Sequence, residues 1–306
     1  MNLEERKELP LNGPSNYRVD NNIIYTKTME INATKHCNLS CRGCSHSAPT
    51  FKDTEYDLET LKMDLNKLKS FIRCDIIRVV GGEPLLHSNF MELIKIIKES
   101  NISNKISLIT NGILLPTIDI MIFNNIDELE VSIYPLNEKM SVRIKEYVQE
   151  ISHYFTKVRL LEYNSFREPF TNEKSQDEEL VQNVYDTCQI SHFWRCITID
   201  NGFLYRCPQS MINAVKTNDY SDALKIDDIS DYRYILSFLE NNFPIKYCYK
   251  CLGSVGKIIN HDQINKSQWE NAIPKKYEQS IDKIYMQELF DNIRLDMKCT
   301  RRSKIK

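Results

Sequence analysis

The stretch HCNLSCRGCSH gathers three cysteines in a short segment near the start of the chain. Cys37, Cys41 and Cys44 are separated by three and two intervening residues. Thiolates at such spacings bind zinc or iron–sulfur clusters, and a structural zinc ion normally has four protein ligands. His36 or His46 would therefore have to complete a zinc site. In a [4Fe–4S] cluster, the three thiolates would bind three irons and leave the fourth iron open to a ligand from outside the protein.

Further cysteines lie in the C-terminal half of the chain, at Cys188, Cys196, Cys207, Cys248 and Cys251. Cytosolic thiol pools keep disulfides reduced, so metal or redox chemistry explains a total of ten cysteines better than disulfide bonds do. Cys74 and Cys299 stand apart from both groups. We expect Cys74 to be a small buried apolar residue and Cys299 an idle surface thiol.

Composition excludes several classes of protein. The 40 basic and 42 acidic residues are spread along the chain, and the net charge of −2 leaves no electrostatic footprint for nucleic acid. Only the tail RRSKIK is a basic run. No stretch approaches the roughly 18 apolar residues that would span a membrane, and the start MNLEERKELP lacks the pattern of a secretory signal. We therefore expect a cytoplasmic protein with no membrane partner.

The first half of the chain alternates strand-like and helix-like segments. Strand-like runs are TMEINAT, CDIIRVV, KISLITNG, ELEVSIYP and KVRLLEY, and amphipathic runs such as DLETLKMDLNKLKSF and EKMSVRIKEYVQEI lie between them. This order predicts an α/β fold with parallel strands, as an open sheet or as a complete or partial (β/α) barrel. In these folds, the active loops follow the C-terminal ends of the strands, which is where the three cysteines lie.

The pattern changes after about residue 165. The segment NSFREPFTNEKSQDEE is polar and charged, which is typical of a linker or an exposed loop. Beyond it, Asn201-Gly202 lies between two β-prone runs in ITIDNGFLYRC, which predicts a hairpin with a two-residue turn. We expect a small second unit here.

The sequence CNLSCRGC, followed on the next strand by Gly81-Gly82-Glu83-Pro84, resembles the radical S-adenosylmethionine (SAM) enzymes. The resemblance implies a partial (β/α)6 barrel over residues 27–165. It also implies that SAM chelates the open iron and that the glycine-rich strand end binds the amino group of its methionine. Two glycines would allow a close backbone approach there. The cofactor-binding residues implied are Gly81, Gly82, Glu83, Pro84, Asn111 and Ser132.

Other parts of the core resemble the family less specifically. The family usually has an aromatic residue immediately before the third cysteine, whereas this chain has Gly43, so another surface must hold adenine. Thr110-Asn111-Gly112 resembles a TNG sequence that is frequent in the family. Two strands also carry polar stripes, which either line a lumen for a polar substrate or form solvated faces: Glu30, Asn32 and Thr34 on one, Glu130, Ser132 and Tyr134 on the other.

The second cysteine group resembles the auxiliary-cluster domains of the same family, of the twitch or SPASM type. Cys188, thirteen residues, Gly202, four residues and Cys207 match the opening of such a domain, and Cys248 and Cys251 would close it. These four cysteines would bind a second [4Fe–4S] cluster, and a zinc ribbon is the alternative. Cys196 is then an alternative ligand, a hydrogen donor to a substrate radical, or an inert buried thiol.

We therefore expect four parts in the chain. They are an N-terminal extension at 1–26, the core at 27–165, a β-hairpin-plus-helix cluster domain at 166–260, and a helical tail at 261–306. We expect an enzyme that cleaves SAM reductively, takes electrons from a donor such as flavodoxin or ferredoxin, and abstracts hydrogen from a small polar substrate. A sugar or aminosugar, dehydrogenated or epimerised in a glycan or carbohydrate pathway, is the preferred substrate. Radical maturation of a short peptide and a non-catalytic zinc or electron-transfer protein are the alternatives.

Overall fold

A computed structural model describes residues 17–135 and 138–302 of the chain, with side chains described to residue 292. Most of the expected N-terminal extension, residues 1–16, lies outside the described residues. The described strands are β1 (Arg18–Asp20), β2 (Ile23–Thr34), β3 (Ile72–Gly81), β4 (Ser103–Thr110), β5 (Glu128–Ile133), β6 (Lys157–Glu162), β7 (Ser165–Arg167), β8 (Ile197–Asp200), β9 (Phe203–Tyr205), β10 (Ala223–Lys225) and β11 (Ile258–Asn260).

Helices connect and cover these strands. The described α-helices are α1 (Leu58–Leu68), α2 (Phe90–Ser100), α3 (Glu138–Ile151), α4 (Glu178–Asp186), α5 (Pro208–Thr217), α6 (Tyr232–Leu239), α7 (Lys266–Trp269), α8 (Tyr277–Ser280) and α9 (Lys283–Arg302). A π-helix spans Ile190–Trp194, and the apolar run TIDIMIF contributes to a 3-10 helix at Ile120–Asn125. None of the helices in the described part of the chain is both long and apolar enough to cross a bilayer.

One large sheet organises the molecule, with the strand order β10-β9-β8-β2-β3-β4-β5-β6 and β1 paired to β2. The run from β8 through β2 to β6 is parallel throughout. Helical crossovers bury one face of this run, as parallel strands require. The prediction of an α/β fold with a partial barrel is confirmed, since the two edges of the described sheet do not pair with each other.

Alternation along β2 shows how the sequence divides the two faces of the sheet. Met29, Ile31 and Ala33 are fully buried in the main hydrophobic core, where the helices pack. Glu30 and Asn32 point to the opposite face, as successive side chains of a strand must. The sheet therefore presents an apolar face to its helices and a polar face to the lumen.

The expected hairpin forms at β8 and β9, with Asn201 and Gly202 both at positive φ in its turn. It continues the main sheet, because β8 pairs in parallel with β2. A separate two-stranded sheet of β7 and β11 lies outside the main one. The segments that carry the second cysteine group are thus attached directly to the core sheet, and the division of the chain at residue 166 stays a prediction.

Candidate active site between two cysteine groups

The three-cysteine loop follows the C-terminal end of β2, against the end of β3. The N–H of Gly82 donates to the Thr34 carbonyl (3.0 Å), and the N–H of Glu83 donates to the His36 carbonyl (2.9 Å). A Cβ atom on Gly82 would lie 2.1 Å from that His36 oxygen, and one on Gly81 would lie 2.2 Å from the Thr34 oxygen. Glycine is required at both positions because the strand end packs directly on the start of the cysteine loop.

Glu83 is a buried link between two strand ends. Its carboxylate accepts hydrogen bonds from the Thr110 hydroxyl (2.7 Å) and from the N–H groups of Asn111 (2.9 Å) and Leu85 (3.1 Å). Burial raises the pKa of Glu83 to about 7, although these hydrogen bonds lower it. Neither Glu83 nor Pro84 lines the cavity described below. Asn111 does, and its side-chain amide donates to Asn38 (2.7 Å) and lies 3.8 Å from the Cys37 sulfur.

A cavity of about 530 Å³ lies at this end of the sheet. It brings together most of the residues that the sequence predicted for the site: Cys37, Cys41, Cys44, Gly81, Gly82, Asn111, Ser132 and Cys196 all line it. Its walls also include Gly43 and the aromatic residues Tyr134, Tyr163 and Phe166. A Cβ atom on Gly43 would lie 2.6 Å from the Ile259 side chain in β11, so the C-terminal sheet occupies the space beside this residue.

The lumen carries a chain of ion pairs that joins four strands. Arg78 of β3 lies between Glu30 of β2 (3.1 Å) and Glu130 of β5 (3.4 Å), and Glu130 also pairs with Arg159 of β6 (2.9 Å). Glu30 and Glu130 line the cavity, so the polar stripes face its interior. Three groups near this network have buried polar atoms with no partner among the described residues: the Asn32 amide, the Ser107 hydroxyl and Nε2 of His46. Of these three groups, His46 lines the cavity, and its unpartnered nitrogen together with the charged walls suits a polar occupant.

Cys196 belongs to this lumen. Its thiol lies on the cavity wall beside the Glu30 carboxylate and close to Arg78. Burial raises the pKa of Cys196 well above its usual value, and the charge of Glu30 raises it further. The side chain is therefore a protonated thiol on the wall of the cavity.

The other four C-terminal cysteines gather from separate segments: Cys188 after α4, Cys207 before α5, and Cys248 and Cys251 in the loop after α6. Burial raises the pKa of Cys251 well above its usual value, and the charges of the other three thiols raise it further. The N–H of Gly253 donates to the Cys251 sulfur (3.4 Å), and the Tyr277 hydroxyl donates to the Cys248 and Cys251 carbonyls. All nine cysteines with described side chains are free thiols.

The donor set of each group fits an iron–sulfur cluster. Among the described residues, no three His, Cys, Asp or Glu side chains converge on a position for a single metal ion. A [4Fe–4S] cluster does not need such convergence, because each thiolate binds a different iron. Gln189, Pro208 and Gly253, which follow cysteines of the second group closely, also line the cavity. The cavity therefore lies between the two groups.

Some residues of the site carry no motif that would have predicted them. Arg78 was part of the strand-like run CDIIRVV, where a charge between β-branched residues was the only signal of a lumen position. Gln263 and Trp269 contact the three-cysteine loop from more than 200 residues along the chain. No local pattern in the sequence could have placed them there.

Comparison with known proteins agrees with this geometry. Residues 31–161 match the model of the Radical SAM superfamily, so this part of the chain is similar to that superfamily. The family implies a [4Fe–4S] cluster and SAM, a substrate and an electron donor. The match covers β3–β5 entirely and contains the three-cysteine loop.

Two curated relatives match part of the chain. The GTP 3',8-cyclase of Alkaliphilus oremlandii (strain OhILAs) is 34% identical over 90 residues, 29% of this chain and 28% of that protein. The GTP 3',8-cyclase of Chlorobaculum tepidum is 30% identical over 156 residues, 50% of this chain and 44% of that protein. The chain thus spans less than half the length of these curated relatives. A solved structure of anSMEcpe with bound AdoMet shares 14% identity and a TM-score of 0.49, covering 89% of this chain and 97% of that one.

Proposed function

We propose that the chain is a radical SAM enzyme that oxidises a small, hydroxylated substrate, with a sugar or aminosugar as the preferred class. The observation that carries the proposal is the cavity of about 530 Å³, which the three-cysteine loop, the glycine-rich strand end and the ion-pair network all line. When bound, the cluster and SAM supply a 5′-deoxyadenosyl radical that abstracts a hydrogen atom. Within the cavity, the chain's own residues orient the substrate and exclude water.

Residues of the loop would hold the cofactors as follows. Cys37, Cys41 and Cys44 bind three irons, and Gly81-Gly82 presents backbone groups to the methionine part of SAM. Asn111 and Ser132 lie further along the same cavity wall. Glu83 and Pro84 contribute indirectly, because Glu83 fixes the strand end through Thr110 and Asn111.

The charges of the lumen favour a substrate without phosphates. The guanidinium groups that line the cavity are already paired: Arg78 with Glu30 and Glu130, and Arg167 with Asp282 (3.0 Å). A triphosphate would need cations that lack such partners. Hydroxyl and amino groups instead match the carboxylates and the unpartnered polar atoms around them.

The second cysteine group favours oxidation. Four cysteines would bind all four irons of a cluster, so no iron would be left to anchor the substrate. Such a closed cluster transfers electrons. A substrate radical that gives one electron to this cluster and one proton to a base becomes a product with two fewer hydrogens, and the electron leaves through an external carrier such as flavodoxin or ferredoxin.

Cys196 makes epimerisation the second candidate reaction. A protonated thiol on the cavity wall is suited to return a hydrogen atom to a substrate radical. The variant Cys196→Ala separates the two reactions. Unchanged iron with an unchanged oxidised product supports dehydrogenation, whereas loss of an isomerised product with unchanged iron supports hydrogen donation. Loss of about four irons would instead make Cys196 a ligand.

The test of the proposed function starts from the chain reconstituted anaerobically with iron and sulfide. Nucleotide-free sugars, aminosugars, nucleotide sugars, GTP and short peptides are offered in turn, and 5′-deoxyadenosine formation and substrate mass are measured. We expect faster SAM cleavage and a mass loss of two with a sugar or aminosugar, and neither in Cys37→Ala. GTP turnover would favour the cyclase activity of the relatives, and a mass change in a peptide would favour a maturase. Tightly bound zinc in place of iron would overturn the proposal.

A further inference from the structure

A C-terminal segment lies across the three-cysteine loop. We name residues 261–269 the loop strap. The N–H of Arg42 donates to the Asp262 carbonyl (2.8 Å), and the N–H of Ile264 donates to the Ser40 carbonyl (3.0 Å). The strap and the loop thus form a short antiparallel bridge, in which Cys41 is opposite Gln263.

Gln263 contacts the sulfur of the middle cysteine. Its Oε1 accepts a hydrogen bond from the N–H of Ser40 (2.8 Å), and its Nε2 lies 3.1 Å from the Cys41 sulfur. The Ser40 N–H can only donate, so the amide oxygen must face it. This fixes the orientation of the amide, and its NH₂ group therefore points at the sulfur.

Trp269 holds the same cysteine by its backbone. The indole N–H donates to the Cys41 carbonyl (2.9 Å), and the side chain is only 2% exposed. A buried tryptophan needs a partner for this N–H, so the loop carbonyl and the strap fix each other. The two contacts keep the Gln263 amide in register with the Cys41 sulfur.

We propose that Gln263 is a positioning residue that raises the reduction potential of the cluster bound at Cys37, Cys41 and Cys44. The inference rests on the proposed function, because it requires a [4Fe–4S] cluster on this loop. Reduction adds negative charge to the cluster and its thiolates. An N–H group that points at a sulfur stabilises the reduced state more than the oxidised state, and hydrogen bonds to the sulfurs are among the factors that set such potentials.

The main test compares two substitutions that alter this contact differently. Gln263→Leu removes the N–H donor together with the bond to Ser40. Gln263→Glu keeps an oxygen for the Ser40 N–H and replaces only the group that faces the sulfur with a carboxylate oxygen. We expect both variants to retain iron and to shift the midpoint potential to more negative values, with the larger shift in Gln263→Glu because it also adds a negative charge.

The matched control is Gln268→Leu, which changes another exposed glutamine of the same strap. Potentials are measured by electron paramagnetic resonance during a reductive titration, on the signal that changes when SAM is added. A second readout is SAM cleavage, which should fall with a weak reductant and recover with a strong one in the Gln263 variants only.

The outcomes separate this inference from the proposed function. A wild-type chain that binds no cluster on the loop contradicts the proposed function itself. A wild-type cluster whose potential is the same in Gln263→Glu contradicts the inference alone. Should Gln263→Leu lose iron, Gln263→Glu still decides, since it preserves the Ser40 contact while it replaces the donor to the sulfur with a charged acceptor.

Discussion

The two cysteine groups border one cavity but are built in different ways. The first group comes from one continuous loop after β2 and offers three thiols, all of which line the cavity. The second is assembled from segments around α4, α5 and the loop after α6, and its four thiols lie behind residues that line the cavity. The number of donors distinguishes the groups chemically, because three thiolates leave one iron of a cluster open and four leave none.

This difference assigns separate tasks to the two ends of the cavity. An open iron beside Gly81-Gly82 is suited to bind SAM, and a closed cluster on the other side is suited to receive an electron. Cys196 lines the cavity itself, close to Glu30 and Arg78. Under the proposed function, initiation of the radical, the substrate and the final electron acceptor would be separated along this cavity.

Removal of the loop thiols should have the largest effect. The triple variant Cys37→Ala, Cys41→Ala, Cys44→Ala should lose about four of about eight irons per chain and all SAM cleavage. Iron analysis and 5′-deoxyadenosine formation after anaerobic reconstitution measure both quantities. Full SAM cleavage in this variant would mean that the loop is not the initiating site.

Removal of two thiols from the second group should separate the two tasks. Cys248→Ala with Cys251→Ala should also lose about four irons, yet slow SAM cleavage without substrate should persist because the loop is intact. Oxidised product should not form, since no cluster accepts the electron. The comparison between the two groups fails if this variant loses SAM cleavage while it still carries about four irons.

Substitution of one glycine on each side tests how tightly each region is packed. Gly82→Ala would place a Cβ atom 2.1 Å from the His36 carbonyl, so the loop must move and SAM should bind more weakly. The cost should be about 1–3 kcal/mol of unfolding free energy, as for other overpacking changes.

Gly202→Ala in the hairpin is the matched control for this substitution. No atom lies within 4 Å of its Cβ position, and only its φ of 86° is unfavourable. The cost should be about 1 kcal/mol, without a change in SAM binding. Denaturant unfolding and equilibrium SAM binding distinguish the two variants, and equal SAM affinities in both would argue against close packing at the loop.

The smallest expected effect concerns pH on the loop side. Burial raises the pKa of Glu83 to about 7, so between its ordinary value and about 7 the folded chain binds a proton that the unfolded chain has released. This contribution to stability is complete below that window and is lost as the pH rises through it, by roughly 1–3 kcal/mol. Glu83→Gln should flatten the decline in unfolding free energy from pH 5 to pH 8. An identical decline in both chains would show that Glu83 does not cause it.

Local patterns in the sequence were sufficient to predict the strands and helices of the core. Alternation in β2 and β5 and helical spacing in α1 predicted elements at these places, with Leu61, Leu65 and Leu68 buried as expected. The contiguous cysteines and the glycine pair also needed no tertiary information, because their spacing is itself the signal. The expectation that Glu83 is a cofactor-binding residue did not account for Thr110 and Asn111, which donate hydrogen bonds to its carboxylate from the next strand end.

Contacts between distant segments could not be predicted from local sequence patterns. The pairing of β8 with β2 joins the hairpin to the main sheet, and the position of Cys196 beside Glu30 follows from that pairing. The loop strap is similar, since Gln263 and Trp269 reach Cys41 only in the folded chain. Such contacts depend on the complete fold, whereas spacing within one loop does not.

The most direct test of the account is the response of each cluster to SAM. Paramagnetic resonance spectra are recorded for the reduced chain in two forms: Cys248→Ala with Cys251→Ala, which retains the loop cluster, and the triple loop variant, which retains the other. We predict that SAM changes the spectrum of the first form and leaves that of the second unchanged, because only the loop leaves an iron open. A spectrum that responds to SAM in the triple loop variant, or fails to respond in the other form, would contradict the account.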